Sequence, residues 1–106
     1  MAKDPQGRRW NATINNPLKY GYTHNVIIEK LHMFNPKYFC LTDEIGEHGT
    51  YHTHIYFCAK SPVRFSTIQN RFPIAHIEKA MKSSFANREY FTKTGKWSDT
   101  PKAQTT

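Results

Sequence analysis

The chain has 106 residues, a length that suits one domain with a single hydrophobic core and little surplus for a second module. Its apolar runs fall far short of the roughly 20 residues that cross a bilayer, and its first residues lack the apolar stretch of a secretory signal. We therefore expect a soluble, intracellular protein with no membrane partner, whose two cysteines, Cys40 and Cys58, stay reduced in buried strands.

The formal net charge of +7 comes from lysines and arginines spread along the chain. Such a surface favours a polyanionic partner, because neutralising phosphates gives affinity that does not depend on sequence. Charge alone does not decide the matter, since many small basic domains bind nothing acidic. Tyrosines and tryptophans that lie near the basic residues add a means of stacking on unpaired bases, and together these features indicate single-stranded nucleic acid.

The elements predicted along the chain begin after a polar tail at residues 1–8. Alternation and helical spacing of apolar residues, together with turn and cap signals, predict strands at 9–15, 38–42, 51–59 and 75–79 and helices at 23–34, 66–72 and 85–94. Thr23 and Ser83 or Ser84 are the predicted helix caps, Ser61-Pro62 ends the third strand, and Gly95 closes the last helix.

This order predicts an α+β fold, with an antiparallel sheet of about five strands, flanking helices on one side of it, and a ferredoxin-like or RNA-recognition-like topology. Residues 9–97 form the expected domain. Residues 98–106 are expected to form a linker or frayed end without regular structure.

His52 and His54 alternate along the third predicted strand, so their imidazoles lie on one face, about 7 Å apart along the strand. A hairpin through Gly46 and Gly49 folds Glu44 back beside His52, while Asp43 points to the opposite face. Two imidazoles and a carboxylate suit Mn²⁺ or Mg²⁺ with open positions, Mn²⁺ being favoured by imidazole, and zinc is the competing ion.

Tyr90 and Lys93 are three residues apart on the last predicted helix and share a face. A phenol is a poor nucleophile at neutral pH unless a nearby cation favours the phenolate. An ammonium group at this spacing therefore makes covalent catalysis through Tyr90 possible. The same spacing is also common in amphipathic helices without catalytic function, where the tyrosine ring packs and the lysine charge is solvated.

Three motifs in order resemble the replication-initiator nucleases of the HUH superfamily, specifically the Rep proteins of small circular single-stranded DNA viruses such as circoviruses, nanoviruses and geminiviruses. They are residues 10–16 (WNATINN), Glu44 with residues 49–54 (GTYHTH), and residues 87–95 (NREYFTKTG). The chain departs from the family at Thr53, where an apolar residue is usual, and at Tyr51, where proline is frequent. The single tyrosine of the third motif matches the viral Rep branch.

The resemblance implies a rolling-circle initiator that nicks and rejoins origin DNA exposed at a viral stem-loop, acting in the host nucleus. A metal held by Glu44, His52 and His54 would polarise the scissile phosphate, Tyr90 would form a 5′-phosphotyrosine link, and Lys93 would assist. A helicase domain follows the nuclease in such proteins, so we expect this chain to be an excised or truncated form. DNA contacts are expected from the first motif and from basic residues: Arg8, Arg9, Trp10, Asn11, Thr13, Asn15, Asn16, Lys19, Lys60 and Arg64.

Two other interpretations remain open at the level of sequence. In one, the chain is a non-catalytic single-stranded RNA-binding or DNA-binding module of similar topology, and the histidines and tyrosine are ordinary strand and helix residues. In the other, the chain is a small structural zinc domain in which His52, His54 and a cysteine hold the ion.

Overall fold

The computed structural model describes residues 4–46 and 49–92, together with the backbone of 97–99. In chain order the elements are β1 (Gln6–Asn15), a 3₁₀ helix (Pro17–Tyr20), α1 (His24–His32), β2 (Pro36–Ile45), β3 (Tyr51–Arg64), α2 (Phe65–Arg71), β4 (His76–Lys79), α3 (Ser84–Phe91) and β5 (Trp97–Asp99). None of the described helices combines the length and the apolar composition that spanning a membrane requires.

The sheet is antiparallel throughout, in the order β4-β1-β3-β2-β5. Its first four strands, joined through α1 and α2, follow the βαββαβ pattern of ferredoxin-like folds. The three-residue β5 adds a short edge beside β2. The predicted α+β class is therefore confirmed.

Each face of the sheet carries its own core. On one face, α1 and α2 cover a large cluster built around Trp10, Ile14, Leu41, Ile55 and Phe57. On the other face a smaller cluster contains Tyr38, Cys40, Tyr56, Ala80 and Phe91. Since Phe91 belongs to α3, this helix lies opposite α1 and α2, and the prediction that the helices share one side was wrong. The sequence carried a signal for two covered faces, because the run from Tyr38 to Leu41 is apolar without alternation. In the structure residues 38–42 are all buried.

The predicted caps fix where two of the helices begin. The hydroxyl of Thr23 accepts a hydrogen bond from the amide of Val26 at the start of α1, and that of Ser83 accepts one from Ala86 at the start of α3. After α1 the backbone of Asn35 takes a positive φ of 54°, which turns the chain into β2.

Three boundaries differ from the prediction. β1 begins at Gln6 rather than at residue 9, and the Asp4 carboxylate accepts hydrogen bonds from the amide and hydroxyl of Ser66, so residues 4–8 are held against the domain. β3 continues through Pro62 to Arg64, because that proline falls where the β1–β3 register shifts and ladder pairing is already interrupted. β5 covers residues 98 and 99, for which no structure was expected. Gly95 lies outside the described residues.

Candidate active site

Three predicted metal ligands converge at one end of the β2–β3 pair. Glu44 is paired directly with His52, and His54 is two residues further along the same face. The Glu44 Oε1 atom lies 2.8 Å from Nε2 of His54 and 3.4 Å from Nε2 of His52. One ligand atom from each residue fits within 4.8 Å of the other two, so the hairpin brings the three together as the sequence predicted.

Both imidazoles are oriented by partners on their other ring nitrogen. Nδ1 of His54 lies 3.2 Å from the hydroxyl of Thr13, and Nδ1 of His52 lies 3.3 Å from the carbonyl oxygen of Thr50. This leaves both Nε2 atoms directed toward Glu44. Outer contacts of this kind fix the tautomer and angle of histidines that bind metals. Thr13 was expected to contact DNA, but its hydroxyl faces His54.

The donor set fits a divalent cation with open coordination positions. It contains two imidazole nitrogens and a carboxylate, and the side chains of His52, His54 and Glu44 are 16, 28 and 27% exposed, so ligands from solvent or substrate can reach the same point. Among the described residues no cysteine joins the cluster, which leaves the structural zinc interpretation without its thiolate ligand.

A groove of about 270 Å³ runs between α3 and the sheet beside this cluster. His54 and Tyr90 both line it, and the Tyr90 side chain is exposed. The other lining residues are Asn11, Ala12, Thr13, Ile55, Glu78, Lys82, Ala86, Asn87 and Phe91. The predicted nucleophile and one of the predicted metal ligands, His54, therefore line the same groove.

Glu78 and Lys82 are groove residues that the sequence did not reveal. Glu78 reaches the groove because β4 pairs with β1, where it lies opposite Asn11, and Lys82 precedes the cap of α3. Neither belongs to a recognisable motif. Only the packing of α3 on this face of the sheet brings them beside Tyr90.

The position of Tyr90 is set by its neighbours on α3. Asn87 is buried, and its side-chain carbonyl accepts a hydrogen bond from the Asn11 amide of β1 at 3.2 Å. Phe91 is also buried and packs in the smaller core, while the hydroxyl of Ser84 lies 2.8 Å from that of Tyr56. These contacts fix the buried stripe of α3 against the sheet and leave Tyr90 beside it, facing the groove. Asn11 therefore contributes to helix docking rather than presenting a free amide to DNA.

Trp10 is not available to stack on a base, and this part of the prediction was wrong. Its side chain is 1% exposed, and its indole N–H donates to the carbonyl of Gly7 at 2.8 Å. Alternation along β1 places it on the same face as Ala12 and Ile14, and both of these are core residues. That apolar alternation was the signal for burial.

The other predicted DNA contacts fall at the two ends of the sheet. Asn15 pairs with His52, and the amide of Asn16 donates to the carbonyl of Tyr51, so both lie at the metal-ligand end, with Lys19 on the adjoining 3₁₀ helix. Lys60 and Arg64 lie six or more residues beyond His54 on β3, about 20 Å or more away. The exposed Arg8 and Arg9 belong to the first half of β1, away from the metal-ligand end. Lys93 lies outside the described residues.

Residues 7–94 match the family model described as "Putative viral replication protein". The chain belongs to this family of viral replication proteins. It is also 35% identical over 91 residues to the replication-associated protein of beak and feather disease virus. That similarity covers 83% of this chain but 29% of the relative, so the chain spans less than a third of the relative's length. The resemblance to Rep proteins of circular single-stranded DNA viruses is confirmed.

Proposed function

We propose that this chain is the nicking and joining domain of a rolling-circle replication initiator that acts on single-stranded DNA. The observation that carries the proposal is the shared groove. One side holds the imidazole of His54, whose ligand cluster can take a divalent cation, and the other side holds the exposed phenol of Tyr90. A purely nucleic-acid-binding module has no need of a three-ligand cluster beside an exposed tyrosine.

Glu44, His52 and His54 would hold Mn²⁺ or Mg²⁺ in this site. Bound there, the cation would act as a Lewis acid toward a scissile phosphate and would balance the negative charge that builds up on it. Thr13 and the carbonyl of Thr50 would keep both imidazoles in the tautomer that presents Nε2. Lys82, on the groove wall, would contact the DNA backbone next to the reacting phosphate.

In the proposed step, the Tyr90 Oη atom forms a bond to phosphorus while the bond from phosphorus to the 3′ oxygen breaks. The phenol proton is lost to solvent, the Lys93 ammonium would stabilise the phenolate, and the leaving 3′ oxygen takes up a proton. The products are a 3′ hydroxyl and a 5′-phosphotyrosine link. Because the link is a phosphodiester like the one that was broken, a later 3′ hydroxyl can reverse the step and join strands.

The biological setting is part of the same proposal. The substrate would be an origin sequence exposed at a viral stem-loop, the site of action would be the host nucleus, and a helicase domain would follow this domain in the full-length protein. Membership of a family of viral replication proteins supports this setting.

The test uses a randomised single-stranded DNA library carrying a different dye at each end, incubated with the protein and Mn²⁺. We expect the 3′-end dye to migrate with the protein after denaturation and the 5′-end dye to be released on a shortened strand. Tyr90→Phe should abolish the adduct because it removes the attacking oxygen.

Tyr20→Phe is a matched control, since Tyr20 and Tyr90 are 53 and 54% exposed. It should leave adduct formation unchanged. Binding of the library without any adduct would contradict the nuclease proposal and favour the non-catalytic binding module. An adduct that persists in Tyr90→Phe would show that another residue is the nucleophile.

A further inference from the structure

A second polar cluster lies behind the metal-ligand site, on the opposite face of the β2–β3 pair. Its centre is the Asp43 carboxylate, which accepts hydrogen bonds from the Tyr51 hydroxyl at 2.6 Å, the Thr53 hydroxyl at 2.7 Å and Nε2 of His24 at 2.9 Å. These four residues are called the Asp43 cluster. It joins β2, β3 and the first residue of α1, and Thr53 is 1% exposed.

The protonation behaviour of the cluster agrees with this geometry. Partial burial of Asp43 would by itself raise its pKa, but the three donors outweigh that effect and hold the pKa of the carboxyl below its usual value. The hydrogen bond that the Tyr51 hydroxyl donates to Asp43 raises the pKa of Tyr51 to about 12. The ionised carboxylate and the neutral phenol are therefore the paired forms at neutral pH.

Each of the three metal-ligand residues is adjacent in sequence to a member of this cluster. Asp43 precedes Glu44, Tyr51 precedes His52, and Thr53 precedes His54. Because successive residues of a strand point to opposite faces, one face of the hairpin carries the ligands and the other carries the cluster. A shift of β2 by one residue relative to β3 would break the hydrogen bonds of Asp43 and would also turn Glu44 away from the histidines.

The apolar packing of β2 and β3 themselves ends before the ligand residues, and at the level of Thr53 the large core continues only on β1, at Ile14. Leu41 and Ile55 are the last members of the large core on β2 and β3 in this direction, and Ile45 beyond them is 70% exposed. The face that the core would cover instead carries Asp43, Tyr51 and Thr53 beneath the segment that joins the 3₁₀ helix to α1. Hydrogen bonds to one carboxylate therefore join β2, β3 and α1 where the ligands must be held.

We propose that Asp43 is a positioning residue that fixes the β2–β3 hairpin from behind and so sets the affinity of Glu44, His52 and His54 for a divalent cation. The inference rests on the proposed function, because it assumes that these three residues bind metal. It assigns a role to Thr53 and Tyr51, the two positions at which the chain departs from the motif it resembles.

The test is a titration of Mn²⁺ alone, in which free Mn²⁺ is followed by electron paramagnetic resonance. Loss of a partner that hydrogen-bonds directly to a metal ligand weakens binding by roughly 10- to 100-fold. Asp43 acts on the ligands through the backbone of the hairpin, so Asp43→Asn should bind Mn²⁺ about tenfold more weakly, at the lower end of that range. Asp4→Asn is the matched control, because Asp4 also accepts hydrogen bonds from Ser66 and the charge change is identical. Its Mn²⁺ affinity should remain within twofold of that of the unaltered protein.

Tyr51→Phe and Thr53→Val test the cluster without changing charge. Both should weaken Mn²⁺ binding, and neither should weaken it much further in an Asp43→Asn background. If both variants bind Mn²⁺ as the unaltered protein does, Asp43 acts only through its charge and the positioning proposal is wrong. If all three variants have lower thermal stability but unchanged Mn²⁺ affinity, the cluster has a purely structural role and the positioning proposal is also wrong.

The unaltered protein separates this proposal from the proposed function. If it binds Mn²⁺ and forms the Tyr90 adduct while the cluster variants bind Mn²⁺ equally well, only the positioning role fails. If the unaltered protein binds no Mn²⁺, the metal-dependent function and the positioning role fail together. Should Asp43→Asn not fold, the two neutral variants decide the outcome.

Discussion

Thr13 connects β1 to the candidate metal site through one hydroxyl group. That hydroxyl lies 3.2 Å from Nδ1 of His54. Replacing Thr13 with valine keeps the shape of the side chain and removes the hydrogen bond. We expect about tenfold weaker Mn²⁺ binding, the lower end of the usual range for an outer partner of a metal-binding histidine, measured by the same titration.

Two further variants make this prediction specific to the hydroxyl. Thr13→Ser should restore most of the Mn²⁺ affinity, since it keeps the oxygen and loses only a methyl group. Thr67→Val changes an exposed threonine on α2, on the other side of the sheet, and should have no effect. Equal Mn²⁺ affinity in Thr13→Val and the unaltered protein would mean that His54 is oriented by other contacts.

At the residue scale, the local sequence pattern predicted the metal ligands but not the side chains that orient them. Alternation along β3 and a glycine-containing hairpin were enough to bring Glu44 to His52 and His54, because all three lie within eleven residues. The contact of Thr13 with His54 spans 41 positions. Its existence depends on the register between β1 and β3, which no local signal specifies.

At the scale of elements, the hydrogen bond between Asn11 and Asn87 joins α3 to the sheet. Asn87 is buried and also donates to the carbonyls of Lys82 and Ser83, so its amide has partners on both the helix and β1. Asn87→Ala should lower the free energy of unfolding by about 1–3 kcal/mol, because Asn11 loses its side-chain partner in a partly buried position. It should also slow Tyr90 adduct formation more than it weakens DNA binding, since the nucleophile is three residues away.

A double-mutant cycle measures whether the two asparagines act together. Asn11→Ala and Asn87→Ala should show a coupling energy of about 0.5–1.5 kcal/mol in urea denaturation. Ser83→Ala is the comparison, because it removes the cap of α3 at a cost of about 1 kcal/mol without touching β1. Additive losses for the Asn11 and Asn87 variants would show that the bond does not dock the helix.

The helix α3 could be predicted from the sequence, but the face of the sheet on which it packs could not. Its existence followed from the cap signal at Ser83 or Ser84 and from the stop signal at Gly95. The stripe of α3 that faces the sheet contains Ser84, Asn87 and Phe91. Two of these residues are polar and contact the sheet by hydrogen bonds, so the stripe is a weak apolar signal. Cap and stop signals therefore detect the helix without identifying its partner surface.

At the scale of the whole molecule, the basic residues behind the net charge of +7 are spread along the chain, and some of them lie in regions far from one another. Lys82 lines the groove that contains Tyr90, whereas Lys60 and Arg64 lie near the far end of β3. Composition predicted a polyanionic partner but did not identify which lysine and arginine side chains contact that partner. In the proposed reaction the scissile phosphate lies in the groove between Tyr90 and the ligand cluster, so a neighbouring phosphate of the DNA should contact Lys82 on the groove wall.

The salt dependence of binding distinguishes the two regions. For single-stranded DNA, each neutralised phosphate contributes about 0.7 to the slope of the logarithm of affinity against that of salt concentration. In a Tyr90→Phe background, which prevents covalent trapping, Lys82→Ala should reduce the slope for a short oligonucleotide by about 0.7, and Lys60→Ala should leave it unchanged. Both lysines are exposed, so the pair is matched in chemistry and differs in position. A reduced slope for Lys60→Ala alone would mean that DNA crosses the far end of the sheet, and the groove would then not be its path to Tyr90.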